Sequence, residues 1–178
     1  MRWMERQFPQ SKTMTYPKAL LADIDTSLGK RVLLCANSRQ SLKQIENFFS
    51  ELYHGRRLMA RLDMENFILP NREGLQLVIK INFAEHASFL SRICSLFVSP
   101  LPRLHCEQET TVTRYIFELD RNYLADCISK IESLRKFNMA GHQYLYESDI
   151  SFVVSYGEYS PIAQGKMMQT QKFQQEGY

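Results

Sequence analysis

His54 is followed directly by Gly55, Arg56 and Arg57, and Arg61 lies four residues further on. An imidazole and three guanidinium groups drawn together could hold a phosphate or carboxylate, because charge-assisted hydrogen bonds of this kind are short and strong. The plainer reading is a basic turn that complements the negative end of a helix dipole. His54, Arg56, Arg57 and Arg61 are the candidate partner- or phosphate-binding residues on either reading.

A second group is His105, Cys106, Glu107 and Glu109. Alternate residues of a strand share a face, so His105, Glu107 and Glu109 would present three hard or borderline metal ligands together. A fourth ligand is missing from the neighbourhood, and solvated hairpin side chains are the simpler account, so no metal site is assigned. Asp23 and Asp25 are too close within a helical segment to face the same side, which argues against paired-carboxylate chemistry. His86 and His142 have no partner close in sequence. The cysteines are Cys35, Cys94, Cys106 and Cys127, with no CxxC pair among them. Cys94 and Cys127 fall on apolar stripes and read as buried, reduced thiols. The sequence has no GxSxG elbow, no GxGxxG and no P-loop. No catalytic residue and no cofactor is therefore assigned, and the chain leans toward a non-enzyme.

Regular elements must position these residues, and hydrophobic periodicity indicates where they lie. Residues 1–16 are mostly polar, with Trp3 and Phe8 as anchors, and read as a flexible arm. Pro17 suits the first turn of a short helix ending near Leu28, with Gly29 as its stop. Arg31 to Ala36 is a short apolar run that reads as a buried strand. Asn37 or Ser38 caps the next helix, whose apolar face is Leu42, Ile45, Phe48, Phe49 and Leu52. Arg56 to Leu69 alternates weakly and is expected as one strand, stopped by residues 70–74.

Leu75, Leu77, Ile79, Ile81 and Phe83 alternate with polar neighbours, a period of two that buries one face of a strand. The stripe Ala87, Leu90, Ile93, Cys94 and Phe97 predicts a helix, closed by Pro100 and Pro102. Residues 104–108 and 111–119 read as a hairpin. Tyr115, Phe117 and Leu119 share one of its faces, and Arg114, Ile116 and Glu118 share the other. Asp120 caps a further helix with the stripe Leu124, Cys127, Ile128, Ile131 and Leu134. His142 to Tyr156 reads as strand. The order from Gly74 to Tyr156 is thus βαββαβ, which is ferredoxin-like. The predicted fold is α+β, with a mostly antiparallel sheet and helices on one face. A single domain is expected over residues 17–156, its ferredoxin-like core at 74–156 preceded by an extra βαβ-type unit. Residues 157–178 are rich in Gln and read as a flexible tail.

The RNA-recognition motif shares this element order, and its third strand carries a K/R-G-F/Y-G/A-F-V-x-F/Y pattern with exposed stacking aromatics. The matching segment, Thr113 to Leu119, has no glycine, and Glu118 would repel phosphate. Tyr115 and Phe117 are expected in the core instead.

The 178-residue chain has a net charge of +3 and is 44% hydrophobic, enough for a real core. Residues 1–73 hold twelve Lys/Arg against eight Asp/Glu, whereas residues 74–156 hold eight against nine. Any basic face for nucleic acid would have to come from the N-terminal part. No apolar run is long enough to span a membrane, and the first residues lack the apolar stretch of a secretory signal. A cytoplasmic protein without a membrane partner is expected. Architecture alone does not give function. Compact size, an α+β build and missing catalytic motifs match small inhibitors of the immunity or antitoxin type, which occlude a toxin's active site with a complementary surface. The expectation is a non-enzymatic binding protein acting through a protein partner, with a toxin domain foremost. A nucleic-acid-binding module using the basic patch at residues 56–61 is the alternative.

Overall fold

Two runs that are apolar on both faces begin the fold. The computed structural model describes residues 18–27, 29–82, 102–137 and 140–158. In it Ala19–Thr26 forms strand β1 and Gly29–Ala36 forms β2. They pair antiparallel from Leu20↔Cys35 to Thr26↔Gly29. A helix is expected over residues 17–28, and residues 19–26 form a strand instead. Ala19 to Ala22 are all buried, and an apolar run this short does not separate a strand buried on both faces from a helix. Gly29 closes the hairpin rather than a helix. It sits at φ 119°, and a Cβ there would lie 2.5 Å from the Asp149 carbonyl oxygen, so only glycine fits.

Ser38 caps helix α1, Arg39–Tyr53, its hydroxyl oxygen accepting the Ser41 N–H at 3.0 Å. Leu42, Ile45, Phe48, Phe49 and Leu52 are all buried, as their spacing requires. The single strand expected over residues 56–69 is broken into β3, Met59–Arg61, a 3-10 turn at Leu62–Met64, and β4, Ile68–Pro70. Asp63 marks the break. Its carboxylate takes the Leu77 N–H at 3.0 Å and the Arg61 guanidinium at 2.6 Å, so a side chain replaces the next ladder partner.

Strands β5, Leu75–Ile81, and β7, Thr113–Leu119, lie side by side in parallel. Strand β6, Arg103–Gln108, pairs antiparallel with β7. Helix α2, Arg121–Lys136, starts at Asp120, whose Oδ1 accepts the Tyr123 N–H at 2.7 Å. It buries Leu124, Cys127, Ile131 and Leu134. The last expected strand is a hairpin instead, β8 at Gly141–Tyr146 and β9 at Ile150–Tyr156. Three predicted segments lie outside the described residues: the N-terminal arm, the helix carrying Leu90 and Phe97, and the tail beyond residue 158.

The strands form two mixed sheets, ordered β4-β1-β2-β9-β8 and β3-β5-β7-β6. One mostly antiparallel sheet with a ferredoxin-like core at 74–156 was expected from the element order. The first helix of that order falls outside the described residues, and the strand that should close the sheet is elsewhere. β9 pairs parallel with β2 from Lys30↔Ile150 to Ala36↔Tyr156, and β3 takes the second edge of β5. The reason lies in β2. Residues 32–36 are buried on both faces, which calls for a strand on each edge as well, and β1 supplies only one.

Among the described residues, both helices and the inner faces of both sheets share one core. Phe117 of β7 is at its centre, 5.6 Å from the rings of Phe152 and Tyr146 and 6.2 Å from Tyr123. Two polar clasps tie the layers. Asp23 of β1 takes Arg72 on both oxygens, at 3.0 and 2.6 Å, and the Tyr115 hydroxyl of β7 donates to it at 3.2 Å. Glu46 of α1 takes Lys43 at 2.7 Å and Arg135 of α2 at 2.6 Å. A smaller apolar cluster, Leu20, Ala22, Leu33, Cys35 and Val153, occupies the opposite face of the five-stranded sheet.

Candidate functional site

The residues singled out by sequence do not converge. His54 caps the C-terminus of α1, exposed, with its ring edge-on to Tyr53 at 5.5 Å. Gly55 takes φ +71°, and the Arg56 N–H donates to the Glu51 carbonyl. Arg57 pairs with Glu65 and, at 3.7 Å, with Glu51. The Glu65 hydrogen bond leads the causes that raise its pKa. Arg61 leaves the helix end altogether and stands on β3, paired with Asp63 at 2.6 Å. Arg57 and Arg61 line separate hollows. Two of the three arginines thus already hold carboxylates, which lowers their pull on a phosphate.

His105 and Glu107 do share a face of β6, with 4.0 Å between Nε2 and Oε1. Glu107 is committed to Arg114 at 3.2 Å, and Glu109 approaches the same guanidinium at 3.8 Å. Among the described residues, no group of three or more His, Cys, Asp or Glu is placed to hold a metal ion. Asp23 and Asp25 lie on a strand, not a helix. Burial pushes the Asp23 carboxyl up, but Arg72 outweighs it and holds the group below its ordinary value. Cys35 and Cys127 are buried free thiols pushed up to about 12, chiefly by burial, and so are poor nucleophiles.

The surface that period-two counting left unclaimed is the outer face of the four-stranded sheet. Residues 76, 78 and 80 of β5 and 114, 116 and 118 of β7 alternate with the core positions and point away from them. With Met59, Arg61, His105 and Glu107 they line a hollow of about 500 Å³. Strand register sets the charges in pairs. Lys80 opposes Glu118 and holds it at 2.7 Å. That bond is the leading reason Glu118 stays below the usual carboxylate range. Arg114 opposes both Gln76 and Glu107, at 3.0 and 3.2 Å. Between the pairs lie Val78, Ile116 and Met59, the last 62% exposed. The signal was available: the partners of Tyr115 and Phe117 on the other face were legible as Arg114, Ile116 and Glu118. Their pairing with β5 was not, because register across strands is not written in either strand alone.

Tyr115 and Phe117 are 1% and 0% exposed, so the aromatics that a nucleic-acid platform would need are in the core. A second hollow, of about 300 Å³, opens where the two sheets meet, lined by Asp23, Asp25, Lys30 and Arg72 with polar neighbours.

Among the described residues, no helix is long and apolar enough to cross a membrane. Comparison with known proteins returns no match: no family model fits the chain, and no curated protein or solved structure resembles it significantly.

Proposed function

We propose that this chain is a non-enzymatic binding protein that acts through a protein partner, as an immunity or antitoxin-type inhibitor occluding a toxin's active site. The observation that carries the reading is the outer face of the four-stranded sheet. It alternates ion pairs with aliphatic side chains on a rigid strand floor. Such a surface offers a partner both hydrophobic contact and a polar rim of fixed pattern, and charge pairs locked by register favour specificity. Nearly balanced charge on the face also suits a partner with a neutral or acidic rim better than a strongly basic nuclease.

The nucleic-acid alternative rests on residues 54–61 and is weakened there by the Glu51, Glu65 and Asp63 pairings. Its signature would be steep loss of oligonucleotide binding with added salt.

The test is affinity capture with the tagged chain and with an Ile116→Asp, Lys80→Glu variant. The result expected is a protein retained by the wild type, lost by the variant, and inhibited in its own activity when the wild-type chain is added. Identical captures from both forms, or salt-sensitive oligonucleotide binding lost in Arg57→Ala, Arg61→Ala, would overturn the reading.

A further inference from the structure

Among the described residues the two sheets end in four edge strands: β4 and β8 in one, β3 and β6 in the other. β3 and β4 have three residues each, and β8 carries a register shift between Tyr144 and Tyr146. Short edges and bulges are ordinary devices that keep one sheet from pairing with another. β6 has neither. Its six residues pair with β7 in unbroken register from Arg103↔Glu118 to Gln108↔Thr113. The Glu109 N–H donates to the Val112 carbonyl at 2.8 Å, which sets the phase of the ladder. Residues 103, 105 and 107 turn their backbone groups toward β7, and 104, 106 and 108 turn theirs off the sheet.

We propose that β6 is a self-complementary edge through which two copies of this chain pair antiparallel, about a two-fold axis at His105, into one eight-stranded sheet. A two-fold at this residue sets Arg103 opposite Glu107 of the partner subunit, and the symmetry repeats the pair on the far side of the axis. Arg103 is exposed and forms no ion pair among the described residues. Glu107 is 47% exposed; Arg114 holds its Oε2, and the neighbour of its Oε1 on the same strand, His105 Nε2, stands at 4.0 Å, beyond hydrogen-bond distance, so Oε1 can accept a second guanidinium. On the inner side Leu104, 8% exposed, meets Cys106 of the partner subunit, so the apolar layer under the sheet continues across the axis. The neighbouring register, centred on Cys106, would set Leu104 against Gln108 and break that layer. Charge and hydrophobicity select the same alignment, and the outward backbone groups of 104 and 106 fall opposite one another in it.

The test is light scattering after size exclusion on the full chain, with Arg103→Glu, Glu107→Arg and both together. Wild type is expected at twice the 20.9 kDa chain mass. Each single variant places like charges opposite twice over and is expected to weaken the dimer by about tenfold or more. The double variant restores the dimer. An equimolar mixture of the two single variants also dimerises, because every pair across the axis is then opposite in sign, and this shows that both variants are folded. A wild type at the chain mass overturns the proposal. So does a dimer indifferent to the single variants, or one that the double variant and the mixture fail to restore.

Discussion

Glu46 holds its charge almost out of reach of water, 8% exposed on the buried side of α1. Burial by itself raises its pKa; the hydrogen bonds of Lys43 and Arg135 more than reverse this and bring it below the ordinary 4.5. A depressed folded value means the stabilisation is complete above the unfolded pKa and is lost as pH falls through the folded one. The urea midpoint should therefore drop as pH is taken below about 4.5. Glu46→Gln should flatten part of that slope and cost about 1–3 kcal/mol at neutral pH. An unchanged slope in the variant would show that the clasp contributes nothing to acid sensitivity. Asp23, with Arg72 and Tyr115, responds in the same direction. Neither clasp was legible in the sequence. Glu46 stands 89 residues from Arg135, and Asp23 stands 92 from Tyr115. Attraction at that separation exists only once both elements are folded.

At the scale of elements, legibility followed amphipathicity. The stripe from Leu42 to Leu52, the stripe from Leu124 to Leu134, and the alternation in 75–81 and 113–119 each have one wet face, and each was found where its spacing placed it. Residues 19–26 have no wet face along their first half, so their period does not separate a strand from a helix. The stretch 56–69 failed differently, since a carboxylate at residue 63 took over a ladder position. Turns carried a further constraint. Gly74 precedes β5 at φ +78°, and a Cβ there would stand 2.1 Å from the Thr111 carbonyl oxygen. Gly74→Ala should lower stability by about 1–3 kcal/mol through strain at this turn, read as a shift in urea midpoint without a change in slope. A variant within a few tenths of a kcal/mol of wild type would mean that the 110–112 turn yields freely.

For the whole molecule, what decides cooperativity is that the two sheets and two helices among the described residues share one core. Phe117 touches β8, β9 and α2 at once. Phe117→Ala removes the ring from that junction and should cost about 3–5 kcal/mol. Both sheets should melt in one transition, at the same temperature by far-UV and near-UV circular dichroism. Two separated transitions would mean that the sheets are independent units and that the shared core is only a contact. The candidate surface belongs to this scale too. Its residues come from β3, β5, β6 and β7, four segments spread over sixty positions of chain, and local alternation shows the outward face of a strand without showing which strands lie together.

The chain path also has a consequence for synthesis. β2 emerges early, at Gly29–Ala36, yet its second neighbour is the last strand described, Ile150–Tyr156. While the ribosome makes everything between, β2 has a bare edge, hydrophobic on both sides, inside a half-made polypeptide. All strands of the four-stranded sheet have been synthesised by residue 119, whereas the five-stranded one is incomplete until residue 156. A chaperone that shields nascent β2 until translation passes Tyr156 would therefore raise the yield of this protein more than one acting after release.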